Sequence, residues 1–154
     1  MIKKQSLHIL LAIDEEREWA AGLFSLSEPW KTLGITYENI KATCHDPEYL
    51  VYVAHIEDKP CGVIILDPRG VAGAPYIKSV LVEEKYRNNG IGAALIAFAE
   101  NSFSQKSPHL FLCVSSFNQK AHLFYERLWY SIIGELKDLI KKGESEILMY
   151  KRIS

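Results

Sequence analysis

The sequence lacks the features that mark several large classes of protein. Its three cysteines, Cys44, Cys61 and Cys113, are odd in number and share no metal-ligand spacing, so neither a disulfide scaffold nor a metal site is predicted. No apolar run approaches the roughly 20 residues that cross a membrane. A formal net charge of −1 gives no electrostatic reason to expect a nucleic acid or an anionic membrane as partner. These absences leave a globular protein with reduced thiols, expected in the cytoplasm.

No secretory signal is expected at the N-terminus. Residues 1–6 carry two lysines, but no adequate apolar segment ending in a cleavage site follows them. The length of 154 residues, with 48% apolar and 24% charged residues, is that of a globular domain with a buried core. No repeat, linker or low-complexity tract interrupts the chain, so residues 1–154 are predicted to form one domain.

What the sequence does contain is a glycine-rich turn between a strand and a helix. The turn reads Arg87-x-x-Gly90-x-Gly92, and an apolar helix is predicted over 93–103. Glycines let the backbone approach a ligand closely. The first amides of the helix lack partners, and the helix dipole favours an anion beside them. The pattern predicts a pyrophosphate cradle made of Arg87, Asn88, Asn89, Gly90, Ile91 and Gly92.

Two common phosphate-binding motifs are absent from this turn. There is no Gly-Lys-Ser/Thr, which excludes a P-loop in its usual form. A dinucleotide fold requires Gly-x-Gly-x-x-Gly near the first strand, whereas this turn lies past the middle of the chain and has no third glycine. On the residues alone, a glycine-rich turn that binds no ligand stays open.

The hydrophobic patterns predict strand, two helices, three strands, helix, strand, helix and two strands. Asp14 is predicted to cap the first helix, and residues 67–75 are predicted to be a loop because they combine proline with glycine. The strands are predicted over 7–13, 49–57, 61–66, 76–82, 110–114, 130–135 and 146–152, and the helices over 15–26, 36–43, 93–103 and 118–129.

A second group of candidate residues falls on one face of the helix predicted over 118–129. Asn118, Ala121 and Tyr125 lie at positions i, i+3 and i+7, which share a helical face. On the residues alone, Tyr125 is equally consistent with an ordinary core tyrosine whose hydroxyl is satisfied. His122 lies off this face and is expected on the surface or in the core rather than in catalysis.

Both segments resemble the GCN5-related N-acetyltransferases (GNAT). Strand-Arg-x-x-Gly-x-Gly-helix is similar to motif A of that family, and Asn-x-x-Ala-x-x-x-Tyr is similar to its later helix. The predicted order of elements agrees with the same fold over nearly the whole chain, and agreement between the local motifs and the global order strengthens the identification. The resemblance implies an α/β fold with a central mixed, mostly antiparallel sheet, splayed fourth and fifth strands, and flanking helices.

The resemblance also implies a co-substrate and a mechanism. Acetyl-CoA would bind without a metal, with its pyrophosphate in the cradle and its pantetheine arm between the splayed strands. Asn118 would cap its helix or bond the pantetheine amides, and Ala121 would leave room for the arm. A neutral amine would attack through a tetrahedral intermediate, and Tyr125 would protonate the leaving thiolate. The arm would bond the backbone of the fourth strand at Val80, Leu81 and Val82.

The sequence departs from the family pattern at two places. The usual Leu-Gly-Phe after the second helix is Leu128-Trp129-Tyr130, so a glycine is missing from that turn. Some ribosomal-protein acetyltransferases have a glutamate five residues before the asparagine, where this chain has Cys113. Glu83 and Glu84 are more typical of solvated turn carboxylates. No general base is therefore assigned from the sequence.

The acceptor is predicted to be a primary amine of a small molecule or a peptide. Glu28 and Trp30 lie in the break between the first two helices, where a carboxylate and an aromatic wall could receive a cationic amine; a loop pinned by a buried tryptophan is the alternative. Tyr76 could line the same pocket. A non-catalytic acyl-CoA-binding sensor or partner module, and an interaction domain with an empty cradle, stay open as other functions, as does a homodimer.

Overall fold

The computed structural model describes residues 6–154, so the first five residues of the N-terminal segment lie outside it. Over this range seven strands form one sheet in the order β1-β2-β3-β4-β5-β7-β6. β4 runs parallel to β5, and the other neighbouring pairs are antiparallel. The predicted mixed, mostly antiparallel sheet is therefore confirmed. The strands are β1 His8–Leu11, β2 Leu50–Ile56, β3 Lys59–Val71, β4 Ala74–Val82, β5 His109–Ser115, β6 Ser131–Lys137 and β7 Ser145–Arg152.

Helices cover both faces of the sheet, because β3 alternates two sets of buried apolar residues. Val63 and Ile65 pack with the first and third helices, whereas Ile64 and Leu66 pack with the fourth. Within residues 6–154, none of the helices has the length and apolarity that a bilayer crossing requires. The helices are α1 Asp14–Ser25, α2 Trp30–Leu33, α3 Tyr37–His45, α4 Ile91–Phe103 and α5 Gln119–Arg127.

Two local predictions from the sequence were wrong. Asp14 is the first residue of α1 and not its cap: Ile13 takes the N-cap position, and its N–H donates to Glu16 Oε1 at 3.1 Å. A carboxylate three residues into the helix thus replaces the expected side-chain cap. The short helix α2 also lies inside the segment that was interpreted only as a break.

The predicted loop over 67–75 is mostly a β-hairpin. β3 continues to Val71, β4 starts at Ala74, and the two residues between them both have positive φ, 49° at Ala72 and 85° at Gly73. Such a turn follows the twist of the strands. Gly70 is required here, because a Cβ at this position would lie 2.4 Å from Cβ of Tyr76. Pairing between strands overrides the loop-like composition of this segment.

β4 and β5 diverge, as the family resemblance implies. They pair only at Tyr76–Phe111 and Ile77–Leu112. On its other edge β4 has a bulge: the register with β3 passes from Ile65–Ser79 to Leu66–Ile77, so Lys78 has no partner on β3. Beyond the bulge, residues 79–82 of β4 face a gap and not the backbone of β5. The gap leaves backbone donors and acceptors on this strand edge available to an extended ligand.

Candidate active site

The gap between β4 and β5 opens into a cavity of about 980 Å³. Its size is at the upper end of that of small-molecule sites. The cavity extends from the start of α4 to the segment that joins α1 and α2. Of the residues predicted from the sequence, those that line it are Glu28, Trp30, Tyr76, Val80, Leu81, Val82, Arg87, Asn88, Gly90, Ile91, Gly92, Asn118, Ala121 and Tyr125.

The predicted cradle forms the N-terminus of α4. Gly90 is the N-cap, with a φ of 78° in the left-handed region, and Asn88 has a φ of 64°. The amides of the first helical turn have no intrahelical acceptor, so they can bind an anion. A Cβ at Gly92 would lie 3.3 Å from Cζ of Phe124, so a glycine suits the tight packing of α4 against α5. These features fit a pyrophosphate.

Two side chains hold the cradle on the end of β4. Arg87 Nε donates to the carbonyl oxygen of Val82 at 3.0 Å. Asn89 Nδ2 donates to the carbonyl oxygens of Tyr86 and Arg87, each at 3.0 Å. Asn89 does not line the cavity, so its side chain stabilises the turn. Its predicted contact with the co-substrate stays a prediction.

Helix α5 presents the second predicted group to the cavity. Asn118 Oδ1 accepts a hydrogen bond from Ala121 N at 3.2 Å, which makes Asn118 the N-cap of α5. Ala121 and Tyr125 follow on the same face, and Tyr125 is only 7% exposed. Burial raises the pKa of the Tyr125 hydroxyl. This hydroxyl is therefore protonated at neutral pH and carries a proton that it can donate, although burial makes it a weaker acid than an exposed phenol.

The turn after α5 holds Tyr125 even though its usual glycine is missing. Trp129 adopts a φ of 72°, the left-handed conformation that glycine normally takes at a helix end. Its N–H donates to the carbonyl oxygen of Glu126, and the N–H of Tyr130 donates to that of Tyr125, both at 3.0 Å. The rings of Tyr125 and Tyr130 lie 5.8 Å apart. Together these contacts form a Schellman motif that ends the helix at the site.

Trp129→Gly is expected to raise the free energy of unfolding by about 1 kcal/mol, or the Tm by roughly 2–4 °C, because it removes left-handed strain from a residue with a side chain. Little packing is lost, since Trp129 is 81% exposed. Thermal melts of the wild type, Trp129→Gly and Trp129→Ala check this. Alanine keeps the strained φ while it removes the indole. An equal rise in both variants would show that the indole is the cause, not the backbone.

The predicted acceptor residues lie at the other end of the cavity. Glu28 Oε2 accepts hydrogen bonds from Thr32 N at 3.2 Å and Thr32 Oγ1 at 2.5 Å, which ties it to α2. Trp30 packs edge-on against Phe24, with ring centroids 4.6 Å apart, and also lines the cavity. Trp30, which is half-buried, thus contacts the core and lines the cavity. That Glu28 and Trp30 receive an amine stays a prediction.

Tyr76 and Cys113 face each other across the closed end of the gap. Burial, and then the neighbouring Cys113, raise the pKa of the Tyr76 hydroxyl. Burial also raises the pKa of the Cys113 thiol, while its hydrogen bond with Tyr76 opposes the shift. Both groups are therefore neutral at neutral pH. Neither is suited to take a proton from an amine.

A comparison with protein families decides what this architecture belongs to. The Acetyltransferase (GNAT) family model matches residues 10–129. The chain belongs to this family. The matched range includes the cradle, the splayed strands and all of α5.

Solved structures agree with the GNAT fold of this chain. The ribosomal-protein-S18-alanine N-acetyltransferase from Escherichia coli has 18% identity and a TM-score of 0.77, over 96% of this chain and 94% of that one. An aminoglycoside 6'-N-acetyltransferase complexed with coenzyme A has 19% identity and a TM-score of 0.76, over 96% and 97%. The aminoglycoside 6'-N-acetyltransferase from Enterococcus faecium has 20% identity and a TM-score of 0.70, over 96% and 97%. No curated protein sequence matches the chain at a significant level.

Some residues of this cavity that sequence reasoning missed come from segments distant from the predicted ones. Asn39 and Thr43 of α3 add polar groups to the cavity wall, and Ile140 adds an apolar one from the β6–β7 connection. Lys141 Nζ, in the same connection, donates to the carbonyl oxygen of Thr32 at 2.8 Å. The β6–β7 connection therefore contacts α2. No spacing in the sequence signals a contact between segments so far apart.

Glu146 on β7 is a further cavity residue that sequence reasoning missed. It was interpreted only as the start of a late strand, yet its side chain is nearly buried, with 6% exposed. Ser115 on β5 is its cross-strand partner. Burial raises the pKa of the Glu146 carboxyl, and the Ser115 hydroxyl opposes this shift only in part. A carboxylate in a strand of otherwise ordinary β pattern is the only signal that the sequence offered.

Proposed function

We propose that this GNAT acetyltransferase transfers the acetyl group of acetyl-CoA to a primary amine of a small molecule or a peptide. The observation that carries the proposal is the continuous cavity. It joins the cradle at the start of α4, the unpaired edge of β4 and the Tyr125 hydroxyl to a second chamber beside α2. A two-substrate transfer needs this arrangement, with one end for the acyl donor and the other for the acceptor.

The residues present fit the acyl donor. The first amides of α4 would hold the pyrophosphate, and residues 79–82 of β4 would bond the amides of the pantetheine arm. The small side chain of Ala121 leaves space between α5 and that edge of β4. When bound, acetyl-CoA supplies an activated thioester. Tyr125, which is protonated at neutral pH, would give its proton to the departing thiolate sulfur.

We infer the class of acceptor from the residues that line the second chamber, the part of the cavity beside α2. Phe24, Trp30 and Ile40 form apolar walls, and Glu28 adds a carboxylate. Related folds include enzymes named for aminoglycosides and for an alanine of a ribosomal protein, and amines of both kinds are compatible with such a chamber. A cytoplasmic location also belongs to the proposal, and its support is the composition of the sequence.

One observation favours a second function, a non-catalytic acyl-CoA-binding module. Cys113 occupies the position at which some relatives have a glutamate, and burial raises the pKa of its thiol. This thiol cannot replace a carboxylate base at neutral pH. A chain without any base would bind the acyl donor and transfer nothing.

A thermal melt and a thiol-release assay test both functions. With acetyl-CoA at about 100 times its Kd, the protein is expected to gain about 2.7 kcal/mol of stability, or roughly 5–10 °C in Tm for a chain of this size. Free thiol is then measured with an aminoglycoside, a polyamine and a peptide with an N-terminal alanine. A thermal shift with steady thiol release supports the transferase. A shift without release from any amine would support the binding module, and no shift would sink both.

A further inference from the structure

Within the part of the chain that the structure describes, one carboxylate oxygen of Glu146 lacks the hydrogen-bond partner that a buried carboxylate oxygen normally has. Its side chain is 6% exposed, and its Oε2 has no hydrogen-bond partner among residues 6–154. The hydroxyl of Ser115, opposite it on β5, is also buried; it lies near enough to lower the pKa of the Glu146 carboxyl, but outside hydrogen-bond geometry. An unpaired buried carboxylate is costly to keep ionised. Because Glu146 lines the cavity, a cationic ligand could supply the missing partner.

The register of three strands puts Glu146 on the acceptor side of the sheet. Tyr76 pairs with Phe111 across β4 and β5, so Phe111, Cys113 and Ser115 project to the same face as Tyr76. Ser115 in turn pairs with Glu146 across β5 and β7. The opposite face of these strands packs on α4. The floor residues, as we name this group, are Tyr76, Cys113, Ser115 and Glu146, and all four line the cavity.

Among the floor residues only Glu146 carries a group that ionises as an acid in the ordinary range. Burial raises the pKa of its carboxyl, and the nearby Glu144 raises it further, while Ser115 opposes the shift. The hydroxyl of Tyr76 and the thiol of Cys113, which face it from β4 and β5, remain neutral because burial raises the pKa of each. No cation offsets Glu146 in these interactions, so the carboxylate is a proton acceptor of increased basicity.

We propose that Glu146 receives the ammonium group of the acceptor and takes its proton, which makes this chain selective for amines that are cationic in solution. The proposal rests on the transferase function given above. The ammonium gives one proton to the Glu146 carboxylate and becomes a neutral amine. Its nitrogen lone pair then forms the C–N bond to the acetyl carbonyl carbon, and the C–S bond breaks with its electron pair on sulfur. Tyr125 gives its proton to the thiolate and recovers one from the nitrogen, which thereby loses its second proton. Glu146 then releases to water the proton that it took from the ammonium group.

The experiment compares Glu146→Gln with Glu135→Gln. Glu135 is an exposed carboxylate on β6, and it pairs with Ile147, so it lies on the other face of the sheet. Thiol release is followed from pH 6 to pH 10 with kanamycin, spermidine and an alanyl peptide as cationic amines, and with aniline as an amine already neutral at pH 7. Melts with and without acetyl-CoA are recorded for every variant.

Glu146→Gln is expected to lower kcat/KM for the cationic amines by about 100-fold or more at pH 7. The loss should shrink as the pH approaches the pKa of the amine, because neutral amine then forms in solution, and aniline should be affected little. Activity of the wild type should fall on the acidic side as the Glu146 carboxylate takes up a proton. Glu135→Gln should retain the wild-type profile.

The melts separate a catalytic role from a structural one. Glu146→Gln should have a Tm equal to or above that of the wild type, because an uncompensated buried charge is removed. Since the folded pKa of Glu146 is raised, the gain should be largest at neutral pH and shrink as the pH falls through that pKa. If the wild type is active and Glu146→Gln is equally active, the role of Glu146 is overturned while the transferase function stands. The same holds if Glu146→Gln loses activity equally at every pH and with aniline. A wild type that binds acetyl-CoA but acetylates none of the amines would overturn the transferase function and this role with it.

Discussion

Tyr125→Phe is expected to lower kcat by about 100-fold or more while acetyl-CoA binding survives, because a positioned general acid contributes about 10²- to 10⁴-fold to a rate. Phenylalanine keeps the ring that packs against Phe124, at a centroid distance of 5.0 Å, and against Tyr130, at 5.8 Å. The substitution therefore removes the hydroxyl and leaves the packing. Single-turnover thiol release, with the acetyl-CoA-induced thermal shift measured on the same samples, separates chemistry from binding.

A matched control for this variant is Tyr130→Phe. Tyr130 is 3% exposed and its hydroxyl is buried without a hydrogen-bond partner among residues 6–154, yet it does not line the cavity. The same chemical change next to the site should leave kcat unaltered and raise the Tm slightly, since an unsatisfied hydroxyl is removed. If Tyr125→Phe turned over as fast as Tyr130→Phe, Tyr125 would have no part in the chemistry.

Gly90→Glu is expected to abolish the thermal shift produced by acetyl-CoA, which is about 2.7 kcal/mol at a ligand concentration of 100 times Kd. Gly90 is the N-cap of α4, and nothing lies within 4 Å of the position where its Cβ would be. The glutamate side chain therefore has room to project beside the first amides of the helix. There its charge repels an anion and competes for the donors that would bind one.

Backbone strain alone must be separated from this effect, because Gly90 has a φ of 78°. Gly73→Glu is the control: Gly73 has a φ of 85°, open space around its Cβ position, and no contact with the cavity. Both variants should lose roughly 1–2 kcal/mol of stability without ligand. Only Gly90→Glu should lose the response to acetyl-CoA, measured by melts across a ligand titration. A full response in Gly90→Glu would place the pyrophosphate elsewhere.

The cradle and the α5 face could be predicted because each is built from contiguous residues. Arg87, Gly90 and Gly92 act within one turn, and Asn118 and Tyr125 are two turns apart on one helix. Helical geometry and the freedom of glycine fix such arrangements locally. The family resemblance then supplied the splay of β4 and β5, which the pairing of the strands confirms.

The error over residues 67–75 arose because pairing between strands overrides local preference. Residues 67–75 have the composition of a loop, but their pairing across Asp67–Tyr76 and Val71–Ala74 makes them a hairpin. The sequence shows that Trp129 replaces the glycine of the family pattern, but the backbone conformation at this residue could be read only from the structure. The Schellman hydrogen bonds hold a tryptophan in the left-handed conformation that a glycine would take without strain.

The sequence by itself determined the family, and it predicted the cradle and the candidate acid, because the residues involved lie close together along one turn or one helix. Only the tertiary structure decided which residues form the floor of the cavity. Tyr76, Cys113 and Glu146 come from three strands whose register is set by side-chain packing over the entire sheet. A shift of one residue in that register would turn Glu146 to the opposite face. The polarity of the cavity floor is therefore a property of the folded sheet and not of any segment within it.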